Sequence, residues 1–200
     1  SKNTRMIKIS LVGDIGAGKT YVSKLFMTPY FSADKEVANI YKKNRKCYIA
    51  LKKRFPKFIK RFPIKKSELS NIIKNKISNL KEIGVIVHPF VRKELKKFLN
   101  KNNNKKVVVL DIPLYLENKM NKKNDIIIFL KTIKKEADKR LKKRKNFSKK
   151  LLNILRKSQL PLKQKRIKSK YILVNNYDAA IMKKKVKILK NRILNDRSSS

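Results

Sequence analysis

Glycine occurs only four times in this 200-residue chain, cysteine and histidine once each, and tryptophan not at all. A lone cysteine, Cys47, cannot close an internal disulfide; that suits a reducing compartment, and it reads as a small apolar residue on a helix. A lone histidine, His88, with no cysteine or carboxylate cluster beside it, gives no sign of a metal centre of its own. Long apolar runs are also missing. The longest, Val107 to Leu110 and Ile126 to Leu130, fall far short of a membrane span, and no secretory leader is visible because the first apolar segment runs straight into a glycine-rich turn. The expectation is a cytoplasmic chain with no membrane partner.

Acids are scarce as well: 13 Asp and Glu stand against 56 Lys and Arg, a formal charge of +43. Such a balance ordinarily points to nucleic acid, because each neutralised phosphate releases counterions. Here the basic residues are mostly lysine, spread over nearly every segment together with abundant Asn and Ile, which an A/T-rich coding bias explains. No dedicated nucleic-acid partner is expected, only non-specific adhesion. With 41% hydrophobic residues, the chain can bury one α/β core plus a smaller inserted piece.

The glycines that are present are concentrated. Three of them fall in Gly13-Asp14-Ile15-Gly16-Ala17-Gly18-Lys19-Thr20, directly after the β-branched run Met6 to Val12 and before the apolar positions Val22, Leu25 and Phe26. Strand, glycine-rich turn and helix in that order make a P-loop. Backbone N–H groups over Gly13, Ile15, Gly16, Ala17 and Gly18 can wrap a polyphosphate, and the helix opens with Lys19, Thr20 and Tyr21. Lys19 should reach the β and γ phosphates of ATP, and the Thr20 hydroxyl should ligate the bridging Mg2+.

Strand candidates lie at Met6–Val12, Tyr30–Ser32, Val107–Ile112, Ile126–Leu130 and Tyr171–Asn175. Helical stretches separate them. The predicted fold is therefore α/β with a mainly parallel sheet, and the unalternating apolar runs imply strands covered on both faces. We divide a single domain, 6–196, into a nucleotide core (6–33, 105–133, 171–196), an inserted helical acceptor-binding region (34–104) and a basic helical lid (134–170). The ends, 1–5 and 197–200, read as flexible. Helix breaks are expected at Pro56, Pro63 and Pro89, and Pro161 should mark the turn out of the lid.

Several side chains could carry chemistry. Asp34, just after the second strand, can accept a proton from an attacking hydroxyl or can cap the helix that follows; position alone leaves both open. Arg140 and Arg144 stand one helical turn apart and would share a face from which guanidinium groups could meet a transferring phosphoryl. Asp111, ending an apolar strand, has the look of a Walker B acid. No D-x-x-G or N-K-x-D element is present, which disfavours a GTPase, and the glycine shortage excludes transporter-type ATPases. A small metabolite kinase remains.

Taken together, these residues resemble the dephospho-CoA kinase family over Ile7 to about Ile193. The resemblance rests on the P-loop, on Phe31-Ser32-Ala33-Asp34, on His88-Pro89-Phe90-Val91, and on Asp111-Ile112-Pro113-Leu114-Tyr115-Leu116-Glu117. Arg140 to Arg144, Gln159 with Lys165, and Asn175-Asn176 complete it. It implies transfer of the ATP γ-phosphoryl to the ribose 3′-hydroxyl of dephospho-CoA. It further implies that Asp34 is the acceptor-side catalytic carboxylate, that Lys19 and Arg140 engage the ATP phosphates, and that Asn175 lies near the adenine. His88 belongs to the acceptor side, as a substrate contact or as a structural residue. A monomer is favoured. The chain departs from the family pattern at Asp14, Ala17, Tyr21, Ser32 and Tyr177, none of which removes Lys19, Thr20 or Asp34.

Overall fold

The β-branched runs pair as their composition dictates, and five of them assemble one sheet. The computed structural model describes residues 5–145 and 147–198. Along the chain come β1 (Ile7–Gly13), α1 (Lys19–Leu25), β2 (Tyr30–Ser32), α2 (Ala33–Lys43), α3 (Arg45–Arg54), α4 (Lys66–Asn75) and α5 (Asn79–Lys101). There follow β3 (Val107–Asp111), β4 (Ile126–Lys131), α6 (Lys134–Lys142), α7 (Lys149–Lys157), α8 (Leu162–Ile167), β5 (Tyr171–Val174) and α9 (Ala179–Ser198). Of the ends expected to be flexible, residues 1–4 and 199–200 lie outside the described residues, whereas Arg197 and Ser198 continue α9.

The sheet order is β2-β3-β1-β4-β5, and β1 pairs in parallel with both β3 and β4, as β4 does with β5. Parallel strands need crossovers, and the helices between them supply these. Alternate residues of each strand, among them Ile9, Val109, Ile128 and Leu173, form one buried face. Against that face α9 sets Met182, Val186, Leu189 and Ile193, spaced four, three and four apart so that they form one stripe of a 3.6-residue helix. Each such side chain contributes roughly 2 kcal/mol of hydrophobic stabilisation. The opposite faces of β3 and β4 are buried too, at Val108, Leu110, Ile127 and Phe129. β5 differs from expectation: Ile172 and Val174 are exposed, because an edge strand of this order has one face left uncovered.

The chain divides into two compact units, one from residues 1–31, 104–147 and 159–200, the other from 32–103 and 148–158. The second is helical. Its α2 starts on the Ser32 side chain, which accepts from the Lys35 N–H at 3.3 Å, and α3 starts on Asn44, whose Oδ1 accepts from Cys47 at 2.9 Å. Pro56 and Pro63 fall between α3 and α4, as expected, but Pro89 does not end a helix: α5 runs through it. The carbonyl that loses its donor belongs to Val85, which is 69% exposed and open to water, while the buried stripe Ile83, Val87 and Val91 continues across the proline.

The basic stretch read as one lid is divided between the units. α6 and α8 belong with the sheet, and α7 belongs with the helical unit, where it packs on α4. The reason is local: the apolar residues Leu151, Leu152, Ile154 and Leu155 give α7 a face to bury, and Ile154 is buried. α6 also stops at Lys142, so Arg144 lies past the helix and does not share a helical face with Arg140. After Leu141 the chain offers only Lys142, Lys143, Arg144 and Lys145, with no apolar contact to offset like-charge repulsion.

Candidate active site

β1 delivers the chain into the P-loop at Gly13, and the loop hands it to α1 at Gly18, the helix N-cap, with φ +88°. That left-handed conformation, and the space beside it, require glycine. A Cβ on Gly18 would lie 2.7 Å from Asn175 Nδ2. Asn175 follows β5 and is buried; its amide donates to the Ala17 carbonyl at 2.8 Å and accepts from the Tyr177 N–H at 2.9 Å. The structure therefore places Asn175 against the backbone of the phosphate loop, with one end of its amide spent on bracing it.

Lys19 folds back over the loop. Its Nζ donates to the carbonyls of Gly13 (3.3 Å) and Asp14 (2.8 Å), and Asp14 Oδ1 accepts from the Ile15 N–H at 2.8 Å. Burial of the ammonium, and next the charge of Lys165, pull the Lys19 pKa down to about 8 against the attraction of Asp111, Asp14 and Glu117. Thr20 donates its hydroxyl to Asp111 Oδ2 at 2.7 Å, and the Tyr30 hydroxyl, from β2, donates to the same oxygen at 2.9 Å. The acid at the end of β3 and the hydroxyl at the head of α1 thus meet across 91 residues of sequence. Both are hard oxygen donors of the kind magnesium takes, and Mg2+ fits there. Tyr21 is 45% exposed on the first turn of α1.

Arg140, on α6, lies with its guanidinium 3.8 Å above the centroid of the Tyr177 ring and 3.7 Å from Glu136. Tyr177 has φ +62°, and its hydroxyl lies 2.5 Å from Thr132 Oγ1 and 3.4 Å from the Gly16 carbonyl. The aromatic ring of Tyr177 is therefore the platform for Arg140. Composition and spacing carried no signal for that contact.

In the helical unit, Asp34 sits in the first turn of α2, and the N-cap is Ser32. The capping alternative for Asp34 falls, since the hydroxyl two residues earlier fills that role. His88 is on α5, half-buried, with its ring over Gly84: a Cβ there would come within 2.9 Å of His88 Cε1. Burial, and then the neighbouring Arg92, lower its pKa, which favours the neutral imidazole.

The family model described as dephospho-CoA kinase (CoaE) matches residues 7–180. The chain belongs to that family. Among relatives so named, a protein of Wolbachia sp. subsp. Brugia malayi is 34% identical over 170 residues, 82% of this chain and 87% of its own length. Another from Bartonella quintana is 29% identical over 175 residues, 85% of this chain and 89% of its own. In fold the chain is similar to a Thermus thermophilus crystal structure, with TM-score 0.78 and 23% identity over 96% of this chain and 98% of that one. It is similar as well to dephospho-CoA kinase from Campylobacter jejuni, with TM-score 0.61 and 22% identity over 93% and 96%. As a member of the dephospho-CoA kinase family it is an ATP-dependent phosphotransferase on a P-loop kinase fold. No helix among the described residues is long and apolar enough to cross a membrane.

Proposed function

We propose that the chain transfers the γ-phosphoryl of ATP to the ribose 3′-hydroxyl of dephospho-CoA, giving CoA and ADP, with the following division of labour. The observation that carries the assignment of roles is the convergence of Lys19, Thr20 and Asp111 at one end of the sheet. The loop N–H groups from Gly13 to Thr20 hold the phosphates, and Lys19 leaves the loop carbonyls to neutralise charge on the β and γ groups. Thr20 and Asp111 would hold Mg2+, which would supply positive charge to offset that of the phosphates. Arg140, held against the ring of Tyr177, meets the equatorial oxygens of the transferring group.

Asp34 accepts the proton of the attacking 3′-hydroxyl, or orients that hydroxyl for in-line attack. His88, neutral and on the helical unit, is a hydrogen-bond partner for the acceptor. The same reading makes the chain a monomer, which size-exclusion chromatography checks, and places it in the cytoplasm, a reducing compartment that suits its single buried thiol, Cys47.

The test is ADP release measured with dephospho-CoA as acceptor. Asp34→Asn should lower kcat by two or more orders of magnitude with ATP affinity little changed. Undiminished turnover in that variant refutes its assigned role, and release that is indifferent to the acceptor refutes the substrate.

A further inference from the structure

Two ammonium groups converge on one carbonyl. Lys19 Nζ lies 3.3 Å from the Gly13 oxygen and Lys165 Nζ 3.4 Å from the same atom, although 152 residues separate Lys165 from Gly13. Lys165 is carried on α8, and only 4% of it is exposed, so its charge has been taken out of water at a substantial desolvation penalty. Two further acceptors compensate it: Gln159 Oε1 at 2.9 Å and Glu117 Oε1 at 3.4 Å, the latter on a carboxylate that is itself almost fully buried.

A lysine ammonium has three donors. Around Lys165 stand three protein acceptors, the Gly13 carbonyl, Gln159 and Glu117, so its hydrogen-bonding capacity is already matched within the protein. Lys19 differs: both of its acceptors are carbonyls of the loop on which the phosphates are to lie. When Lys19 moves to a phosphate, the Gly13 carbonyl loses one of its two partners. Gly13 is buried, and a Cβ there would come within 2.6 Å of the Leu130 carbonyl, so the backbone at this point is tightly enclosed. An acceptor left there without a donor would oppose the move.

We propose that Lys165 is a positioning residue for nucleotide binding: it holds the Gly13 carbonyl so that Lys19 can leave that oxygen for the triphosphate. Glu117 and Gln159 fix Lys165 at that station. Glu117 Oε1 faces Lys165, and among the described residues its Oε2 is buried without a hydrogen-bond partner, so the carboxylate is held by its ion pair more than by a network of its own. The proposal rests on the P-loop role of Lys19 given above, and it assigns Lys165 an effect that works through Lys19, not a phosphate contact of its own.

The experiment measures ATP affinity by calorimetry for five full-length proteins: wild type, Lys165→Met, Lys19→Ala, Lys19→Ala/Lys165→Met, and Glu117→Gln/Lys165→Met. The last removes both charges of the buried pair, so a folded protein remains to be tested if Lys165→Met alone strands the carboxylate. Lys165→Met and Glu117→Gln/Lys165→Met should each bind ATP about tenfold more weakly than the wild type. In the Lys19→Ala background, adding Lys165→Met should change ATP affinity less than twofold, because there is no longer a lysine to release. KM for dephospho-CoA should not move.

Unchanged ATP affinity in the folded Glu117→Gln/Lys165→Met protein overturns the proposal and leaves the pair a structural one. Effects of Lys19→Ala and Lys165→Met that multiply overturn it in the other direction, since Lys165 would then touch the phosphates itself. Lys19→Ala that binds ATP as tightly as the wild type is a distinct failure, that of the P-loop reading.

Discussion

Replacing Gly18 by alanine tests the idea that Asn175 braces the phosphate loop. The substitution acts twice. At φ +88° an L-residue is strained by roughly 1–2 kcal/mol relative to glycine. The new methyl would stand 2.7 Å from Asn175 Nδ2, closer than carbon and nitrogen approach, and the amide cannot swing aside without loss. It would give up its bond to the Ala17 carbonyl and its acceptor contact with Tyr177, in a site where Asn175 is only 3% exposed. A disrupted buried polar contact of this kind costs about 1–3 kcal/mol. The sum is about 2–5 kcal/mol, which for a chain of this length lowers Tm by roughly 10 °C. Differential scanning fluorimetry with and without ATP reads both the loss and any failure of the nucleotide to restore it. In an Asn175→Ala background, Gly18→Ala should cost only the share due to φ, because the bonds that the methyl would disrupt are already gone. A single variant that melts within 2 °C of the wild type would refute the reasoning.

Cys47 is fully buried, and burial pushes its thiol up to about 11. The unfolded chain sheds that proton near the ordinary thiol range while the native state keeps it, so Cys47 contributes to a fall in stability as pH rises from about 9 toward 11. Thermal melts across that window should show a slope that Cys47→Ala reduces, and a slope unaltered by the substitution would count against the assignment. Tyr177→Gly removes a strained φ and the ring beneath Arg140 together. Its melting temperature should hold within a few degrees of the wild type while KM for ATP rises severalfold; an unchanged KM would mean that the stack does not serve the nucleotide. Adhesion to duplex DNA, driven by the +43 charge, should fall steeply between 50 and 200 mM salt in a filter-binding assay. Retention at the higher salt would restore nucleic acid as a dedicated partner.

The strands and the P-loop were legible because their signals are local. A β-branched run before clustered glycines gives a strand and a turn whatever follows, and each of the five expected strands lies within two residues of its predicted place. Asp111 was legible as the end of an apolar strand, but its partners Thr20 and Tyr30 were not, since the sheet order that brings them together is set by tertiary pairing. Lys165 and Glu117 appeared in the sequence only as motif letters; their meeting at Gly13 depends on three segments converging. Pro89 misled for a different reason: a helix tolerates a proline more readily where the orphaned carbonyl can turn to water, and exposure cannot be read from one residue. Arg144 failed because spacing predicts a shared face only where the helix persists.

The helical unit is written in two instalments, 32–103 and 148–158, with two strands of the sheet between them. On the ribosome, the residues of α4 emerge long before α7, and the surface that Ile154 helps to bury has no cover until residue 158 has been synthesised. A fragment ending at residue 103 would expose that surface to solvent or to chaperones. The unit cannot be excised as a continuous cassette, and fusing a reporter between residues 103 and 148 would separate its two instalments further without removing either.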